Sequence, residues 1–200
     1  MQNRDSELKK INLGAGMKVL KDYINIDRYT EEQLNQLSGY TAISDDCYNF
    51  IQKQPSNTIS DVYSRHFFEH LDSGDVCKLM IEIIRACKSG AIIKIIVPHW
   101  SNPYYYSDPT HTTFYGLYTG SYWSKNNYFH RRVPNYSRFE LLSLRSVYLR
   151  HKSPAKPLKY FSGFVNTLVN SSPLFQELSE WYLAKVVSFY EVEFVFVVDK

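Results

Sequence analysis

Glycine and acidic residues are spaced along the first half of this chain in a pattern that could hold a nucleoside. Gly14-Ala15-Gly16 follows the apolar run Ile11–Leu13, Asp27 closes the alternating Tyr23-Ile24-Asn25-Ile26, and Asp45-Asp46 follows Tyr40–Ser44. Ser64-Arg65-His66 ends the run that starts at Ile59, and Pro98-His99 ends Ala91–Val97. Each group stands where a strand-like run stops, and open parallel sheets bind ligands at the carboxyl ends of their strands. Glycine lets backbone approach a ligand closely, and an acidic residue ending the second strand is placed to accept from both ribose hydroxyls. A dinucleotide fits badly. GxGxxG requires Gly or Ala where Val19 stands, and only ten residues separate Gly16 from Asp27, too few for a full helix carrying a pyrophosphate. Two glycines after a strand are usually a turn and nothing more, so GxG gains weight only from the acidic residues at the following strand ends.

The elements that would position these residues are legible. The clearest helix opens at Asp72 or Ser73 and places Val76, Leu79, Met80, Ile83, Ile84 and Cys87 at three- and four-residue spacing. It is expected to close on Lys88-Ser89-Gly90, with a cation near the negative end and Gly as a left-handed cap. Ala91–Val97 follows at once as a nearly uniform Ile/Val run, the pattern of a parallel strand covered on both faces. Strand, helix, strand in quick succession predicts a parallel α/β sheet. Glu31–Leu37 reads as a turn or two of helix, Tyr160–Val169 and Leu174–Val187 as helical, and Glu191–Val198 as a terminal strand. Ser101–Arg132 is aromatic and irregular.

Composition bounds the class. The chain has 200 residues, 44% of them apolar and 22% charged, which suits one globular domain rather than a disordered or fibrous chain. Its longest apolar run, Ala91–Pro98 interrupted by Lys94, is far below the roughly 20 residues that span a bilayer, and Met1–Lys10 is polar, so neither a membrane span nor an export signal is expected. Three cysteines without CxxC spacing indicate neither a disulfide framework nor a cysteine zinc site, and a reducing cytoplasm is the expected location. Residues 101–165 hold nine Lys/Arg against Asp108 and Glu140, a balance of +7 that leaves −4 for the rest of a chain of net charge +3. Arg131, Arg132, Arg138, Arg145, Arg150, Lys152, Lys156 and Lys159 could line a phosphate or nucleic-acid surface, or be a solvated face.

Five ordered segments carry a family resemblance. Ile11-Asn12-Leu13-Gly14-Ala15-Gly16 followed by Tyr23-Ile24-Asn25-Ile26-Asp27 resembles the LNLGCG and GWINVD opening of small class I S-adenosylmethionine-dependent methyltransferases of the type 11-like group. Ser64–Leu71 is similar to that family's "ashvLEHL" segment, Arg85–Gly90 to "RvLKPGG", Ile95–His99 to its fifth strand, and Asp108-Pro109-Thr110-His111 to a "DPtH" segment of a subset. The match covers residues 10 to about 116, and beyond that only the terminal strand. It departs at Ala15 for the common Cys, at Ser89 for the common Pro, and at the unusual Arg65.

The resemblance implies a Rossmann-like α/β sheet of about seven strands, the last antiparallel, with S-adenosyl-L-methionine as cofactor. Gly14, Ala15 and Gly16 would pass beneath the methionine moiety and ribose, Asp27 would hold the ribose hydroxyls, Asp45 or Asp46 would accept from the adenine amino group, and Ser64 with His66 would flank the methionine end. Residues 1–200 would form a single methyltransferase domain, with an aromatic insert at about 100–132 and a helical insert at about 155–188.

Three other signals compete. His66-Phe67-Phe68-Glu69-His70 spells HxxEH, an inverted zinc-protease helix with two histidines at i and i+4, but it follows directly from a strand and matches the methyltransferase pattern, so no metal is assigned. His99, Asp108 and His111 lie after the fifth strand, where an acceptor would approach; with His66 they are the candidate catalytic residues, a histidine removing an acceptor proton and Asp108 orienting or accepting. Against this, Asp108 could cap a turn before Pro109 and the histidines could bond backbone. The aromatic stretch from Trp100 to Phe129 could form a lid, a stacking wall, a dimer surface or a packed insert. Arg131 and Arg132 would suit a phosphate-bearing acceptor.

The reading is S-adenosylmethionine-dependent O-methylation of a small-molecule, sugar or glycan-precursor acceptor. The alternatives are methylation of RNA or protein, or a non-catalytic nucleotide-binding or assembly protein that keeps the fold. Nucleic acid is the less favoured partner, and the sequence leaves a homo-oligomer open.

Overall fold

The computed structural model describes residues 8–129, 139–153 and 159–200. Seven strands form one sheet: β1 (Lys9–Leu13), β2 (Ile24–Asp27), β3 (Ala42–Ser44), β4 (Ile59–Arg65), β5 (Cys87–Pro98), β6 (Leu142–His151) and β7 (Phe189–Val198). Their spatial order is β3-β2-β1-β4-β5-β7-β6. The first five pair in parallel, and β7 runs antiparallel to both β5 and β6. The strand order reverses at β1/β4, so the carboxyl ends of β1, β2 and β4 open on one crevice.

Three helices link the parallel strands: α1 (Glu31–Gln36), α2 (Cys47–Gln52) and α3 (Ser73–Ala86). Thr30 caps α1 in a capping box, Asp46 caps α2 by accepting from the Asn49 N–H, and Asp72 caps α3 by accepting from the Asp75 N–H. The apolar stripe predicted for α3 is the face it buries, through Val76, Leu79, Met80, Ile83 and Ile84. Its predicted end is wrong. The helix stops at Ala86, Cys87 is already extended, and β5 starts there. Gly90 has φ +77, yet it sits inside β5, where Ile59 faces Cys87 while Asp61 faces Ile92. The left-handed glycine therefore belongs to a strand bulge and not to a helix cap.

The second half adds α4 (Thr119–Trp123), α5 (Lys159–Val169) and α6 (Pro173–Leu178), which a single π turn, Ser179–Leu183, continues. α4 and α5 pack against β6. Asn170, just past α5, donates to and accepts from the backbone of Leu149, and Asn166 of α5 does the same at His151, so the edge of the sheet is covered by side-chain amides. The aromatic stretch divides. Tyr105, Tyr115, Trp123 and Phe129 are buried, with Tyr115 and Trp123 in the main core, whereas Tyr104, Tyr106 and Phe114 are exposed. Among the described residues no helix is long and apolar enough to cross a membrane.

Candidate functional site

The turn after β1 is built from two buried asparagines, one from each adjoining strand. Asn12 donates to Asn25 at 2.9 Å, and Asn25 in turn accepts from the Leu20 N–H and donates to the Leu20 and Tyr23 carbonyls. Side chains thus satisfy the backbone that a helix would otherwise satisfy, and residues 14–23 pass from β1 to β2 without one. Gly14 and Gly16 both have positive φ, +61° and +49°. A Cβ on Gly14 would lie 2.4 Å from Phe67, while a Cβ on Gly16 would meet nothing within 4 Å. The first glycine makes room for protein, and the second faces open space.

Asp27 locks this turn in place. Its Oδ2 accepts from the Gly16 N–H at 2.7 Å and its Oδ1 from the Arg28 N–H at 2.7 Å, which leaves each oxygen a further lone pair. Tyr29 Oη donates to the Gly16 carbonyl. Asp45 and Asp46 stand next to Asp27, joined by the bond from the Asp45 N–H to the Asp27 carbonyl. Asp45 pairs with Lys53, and that bond holds its carboxyl below the ordinary range. Asp46 pairs with Arg28; burial opposes its charge, but the bonds from Arg28 and the Asn49 N–H prevail and lower it. All three carboxylates, with Phe67, Leu71 and Leu79, line a cavity of about 470 Å³. On the other side of the glycine turn a second cavity of about 470 Å³ is lined by Gly14–Leu20, Tyr63, Arg65 and His66.

At the end of β4 a buried ion network dominates. Glu191, 1% exposed, accepts from both Arg65 and His66 through Oε1, and Arg150 Nε lies 3.4 Å from its Oε2. Burial alone would raise the Glu191 carboxyl, but the bonds from His66 and Arg65 outweigh it and hold it down at about 2. His66 has φ +55 and is clamped between two carboxylates, Nε2 to Glu191 at 2.7 Å and Nδ1 to Glu69 at 3.2 Å. Burial pulls its basicity down, and the two carboxylates together push it above the ordinary histidine range. Both ring nitrogens are engaged by carboxylate oxygens, so the geometry speaks against His66 as the proton acceptor. Ser64 is fully buried and donates to the Leu13 carbonyl at 3.0 Å. It ties β4 to β1 and does not reach either cavity.

The other candidates separate into two groups. His99 is fully buried, its Nε2 donating to Glu180 at 2.7 Å and its Nδ1 accepting from the Ser101 N–H. Burial opposes the Glu180 charge, but His99, Trp100 and the Leu117 N–H together hold its carboxyl down. His99 therefore pins the helical segment to the end of β5, and its sealed ring removes it from the acceptor side. His111 keeps a nitrogen free. Its Nδ1 donates to the Tyr105 carbonyl at 2.9 Å, and Asp108 Oδ2 lies 3.7 Å from its Nε2. Asp108 also caps the turn as the alternative reading held, accepting from the N–H and hydroxyl of Thr110.

The HxxEH reading fails on backbone grounds. His66 is left-handed and precedes a short 3-10 turn, Phe68–His70, so His66 and His70 do not share one helix face. Arg131 and Arg132, with Arg138 and Lys156, lie outside the described residues. Glu191 and Glu180 were missed, since each reads in sequence as an ordinary residue of a strand or helix and becomes visible only through partners far along the chain, His66 for Glu191 and His99 and Trp100 for Glu180.

Comparison with known proteins bears on this architecture. No protein-family model matches the chain, and no curated protein matches it. Solved structures do. A SAM-dependent methyltransferase from Archaeoglobus fulgidus superposes with a TM-score of 0.61 at 15% identity, covering 96% of this chain and 86% of that one. The fold is that of the class I S-adenosylmethionine-dependent methyltransferases. The Haemonchus contortus phosphoethanolamine N-methyltransferase 2 gives a TM-score of 0.54 at 13% identity over 98% of this chain and 49% of its own length. Geranyl diphosphate C-methyltransferase from Streptomyces coelicolor gives 0.51 at 10% identity, over 96% and 71%. In this methyltransferase fold the expected antiparallel last strand is β7, and the glycine turn, Asp27 and Asp45-Asp46 stand at the carboxyl ends of β1, β2 and β3.

Proposed function

We propose that the chain is an S-adenosylmethionine-dependent methyltransferase that methylates a hydroxyl of a small acceptor bearing a sugar or phosphate group. The observation that carries this reading is the row formed by Gly16, Asp27 and Asp45-Asp46 beside a cavity of about 470 Å³, a volume within the range of small-molecule sites. These residues fit the cofactor. The open space over Gly16 admits a ligand against bare backbone, Asp27 keeps lone pairs for the two ribose hydroxyls, and Asp45 or Asp46 can accept from the adenine amino group. Arg65 and Lys18, lining the cavity across the turn, supply cations for the amino-acid carboxylate. When bound, the cofactor supplies an electrophilic methyl group on a sulfonium.

Residues 1–200 would act as one domain, its aromatic and helical inserts on the acceptor side. A third cavity of about 510 Å³ supports that placement: Tyr104, Lys152 and Tyr190 line it, Lys152 Nζ lies 4.9 Å over the Tyr190 ring, and that ring packs edge-on against His66 with centroids 6.2 Å apart. A cation beside aromatic faces suits a sugar or phosphate. Positioning supplies most of the acceleration, because the leaving group is already good. Of the four candidate catalytic residues, His111, held at Nδ1 by the Tyr105 carbonyl, keeps a ring nitrogen for the acceptor side. The test is incubation with isotopically labelled S-adenosylmethionine and a panel of hydroxylated and phosphorylated small molecules, read by mass spectrometry. Label in an acceptor hydroxyl supports the reading; binding of S-adenosylhomocysteine without turnover on any acceptor would favour a non-catalytic protein.

A further inference from the structure

Beside the proposed cofactor cavity, His111 converges on one point with two side chains that have no part in the proposed transfer, Glu69 and His70. One ligand atom each from Glu69, His70 and His111 lie within 4.8 Å of one another. The carboxylate is unusual. Glu69 is fully buried, its Oε1 is taken by His66, and its Oε2 has no hydrogen-bond partner. A buried carboxylate oxygen left unpaired loses its hydration without recovering a bond, so a native fold that keeps one calls for a partner the protein alone does not supply.

The two imidazoles are prepared by their neighbours. Tyr105 O can only accept, so His111 Nδ1 carries the proton in that bond, and the lone pair of the neutral ring falls on Nε2. His70 follows by a relay: the Thr110 hydroxyl donates its proton to Asp108 Oδ1 and therefore accepts from His70 Nδ1–H at 2.9 Å, which places the His70 lone pair on Nε2 as well. Both rings are thus oriented through Nδ1 by oxygen acceptors, the arrangement that metal-ligating histidines use. The rings lie with centroids 4.8 Å apart. Asp108 Oδ2, 3.7 Å from His111 Nε2, is too far for a hydrogen bond but close to the roughly 3.3 to 3.6 Å that separates two ligands on one tetrahedral ion.

We propose that Glu69, His70 and His111 bind a divalent transition-metal ion of the zinc or ferrous type, with Asp108 as the fourth protein ligand. Two imidazole nitrogens with carboxylate oxygens match the donor preference of such ions and not that of Mg²⁺ or Ca²⁺, which favour all-oxygen shells. His70 and Asp108 are exposed while Glu69 is buried, so the exposed side chains would shift to close the 4.8 Å spread onto an ion. The ion would also fasten two segments already laced together, since the Thr112 and Thr113 N–H groups donate to the Glu69 carbonyl and Tyr115 Oη donates to that of Phe68. His70 lines the cavity that holds Asp27, so the ion would stand at its wall. With an ion in place the His111 lone pair is a ligand and not a base. The proposal does not rest on the methyltransferase reading.

The test uses the untagged 200-residue chain stripped with a chelator and titrated with Co²⁺, whose visible absorption reports coordination geometry, followed by Zn²⁺ and Mg²⁺ in competition. One equivalent of Co²⁺ should bind with a four- or five-coordinate spectrum, be displaced by Zn²⁺ and be indifferent to Mg²⁺. His70→Ala and His111→Ala should abolish the spectrum while the stripped protein keeps its unfolding transition. Thr110→Val, which removes the acceptor behind His70, should weaken binding about 10- to 100-fold. Absence of a one-equivalent site, or a spectrum that survives both histidine variants, would overturn the proposal. S-adenosylhomocysteine binding measured with chelator present separates this outcome from failure of the cofactor site.

Discussion

The two glycines of the β1 turn make opposite demands, and substituting each by alanine separates stability from binding. At Gly16 the added Cβ meets nothing within 4 Å, so the fold loses only the cost of a left-handed residue, about 1 to 2 kcal/mol. For a chain of this length that lowers Tm by roughly 2 to 8 °C. The same methyl group would stand in the space assigned to the cofactor, and S-adenosylhomocysteine affinity should fall at least about tenfold, or 1.4 kcal/mol. At Gly14 the added Cβ lies 2.4 Å from Phe67 Cβ, so overpacking of about 1 to 3 kcal/mol joins the backbone strain. Gly14→Ala should therefore unfold well below Gly16→Ala. Differential scanning fluorimetry and isothermal titration calorimetry on the two variants decide it. Wild-type affinity in Gly16→Ala, or equal destabilisation by the two substitutions, would refute the reasoning.

Three further outcomes are expected. Asp27→Ala should lower S-adenosylhomocysteine affinity by about 1 to 3 kcal/mol in calorimetry, since it removes the hydroxyl acceptor and leaves the Gly16 and Arg28 N–H groups unpaired. Glu191 has its folded pKa depressed from 4.5 to about 2, so its contribution to stability, about 3 kcal/mol, is full above pH 4.5 and drains away as pH falls toward 2; in acid unfolding Glu191→Gln should be less stable than wild type near neutrality, and the gap should narrow over that window. His111→Ala should reduce turnover with any identified acceptor while leaving cofactor affinity within about twofold, a change of roughly 0.4 kcal/mol, and the reverse pattern would reassign the residue.

The parallel half of the sheet was legible because its strands are apolar runs that stop at glycine, polar residues or proline, as Ile11–Gly16 and Ile24–Asp27 do. β6 was not. Its buried residues, Leu142, Leu144, Val147, Leu149 and His151, would alternate cleanly but for a register shift between Leu144 and Ser146, which breaks the period of two. Arg145 and Arg150 then read as part of a basic surface, although Arg150 reaches the buried Glu191. The cofactor half of the site was legible for a local reason: each of its residues follows its own strand. The acceptor half depends on contacts across the sheet. His66 and His99 are the right residue type at the right strand end, but Glu191 and Glu180 arrive from 81 to 125 positions away and occupy their rings.

The most direct measurement is a crystal structure of the protein with S-adenosylhomocysteine. The expected result is the adenosine lying across the ends of β1 and β2, with both ribose hydroxyls on Asp27, the adenine beside Asp45-Asp46 and the sugar over Gly16. Density for the compound at another place on the molecule, or its absence from crystals grown at saturating concentration, would contradict it.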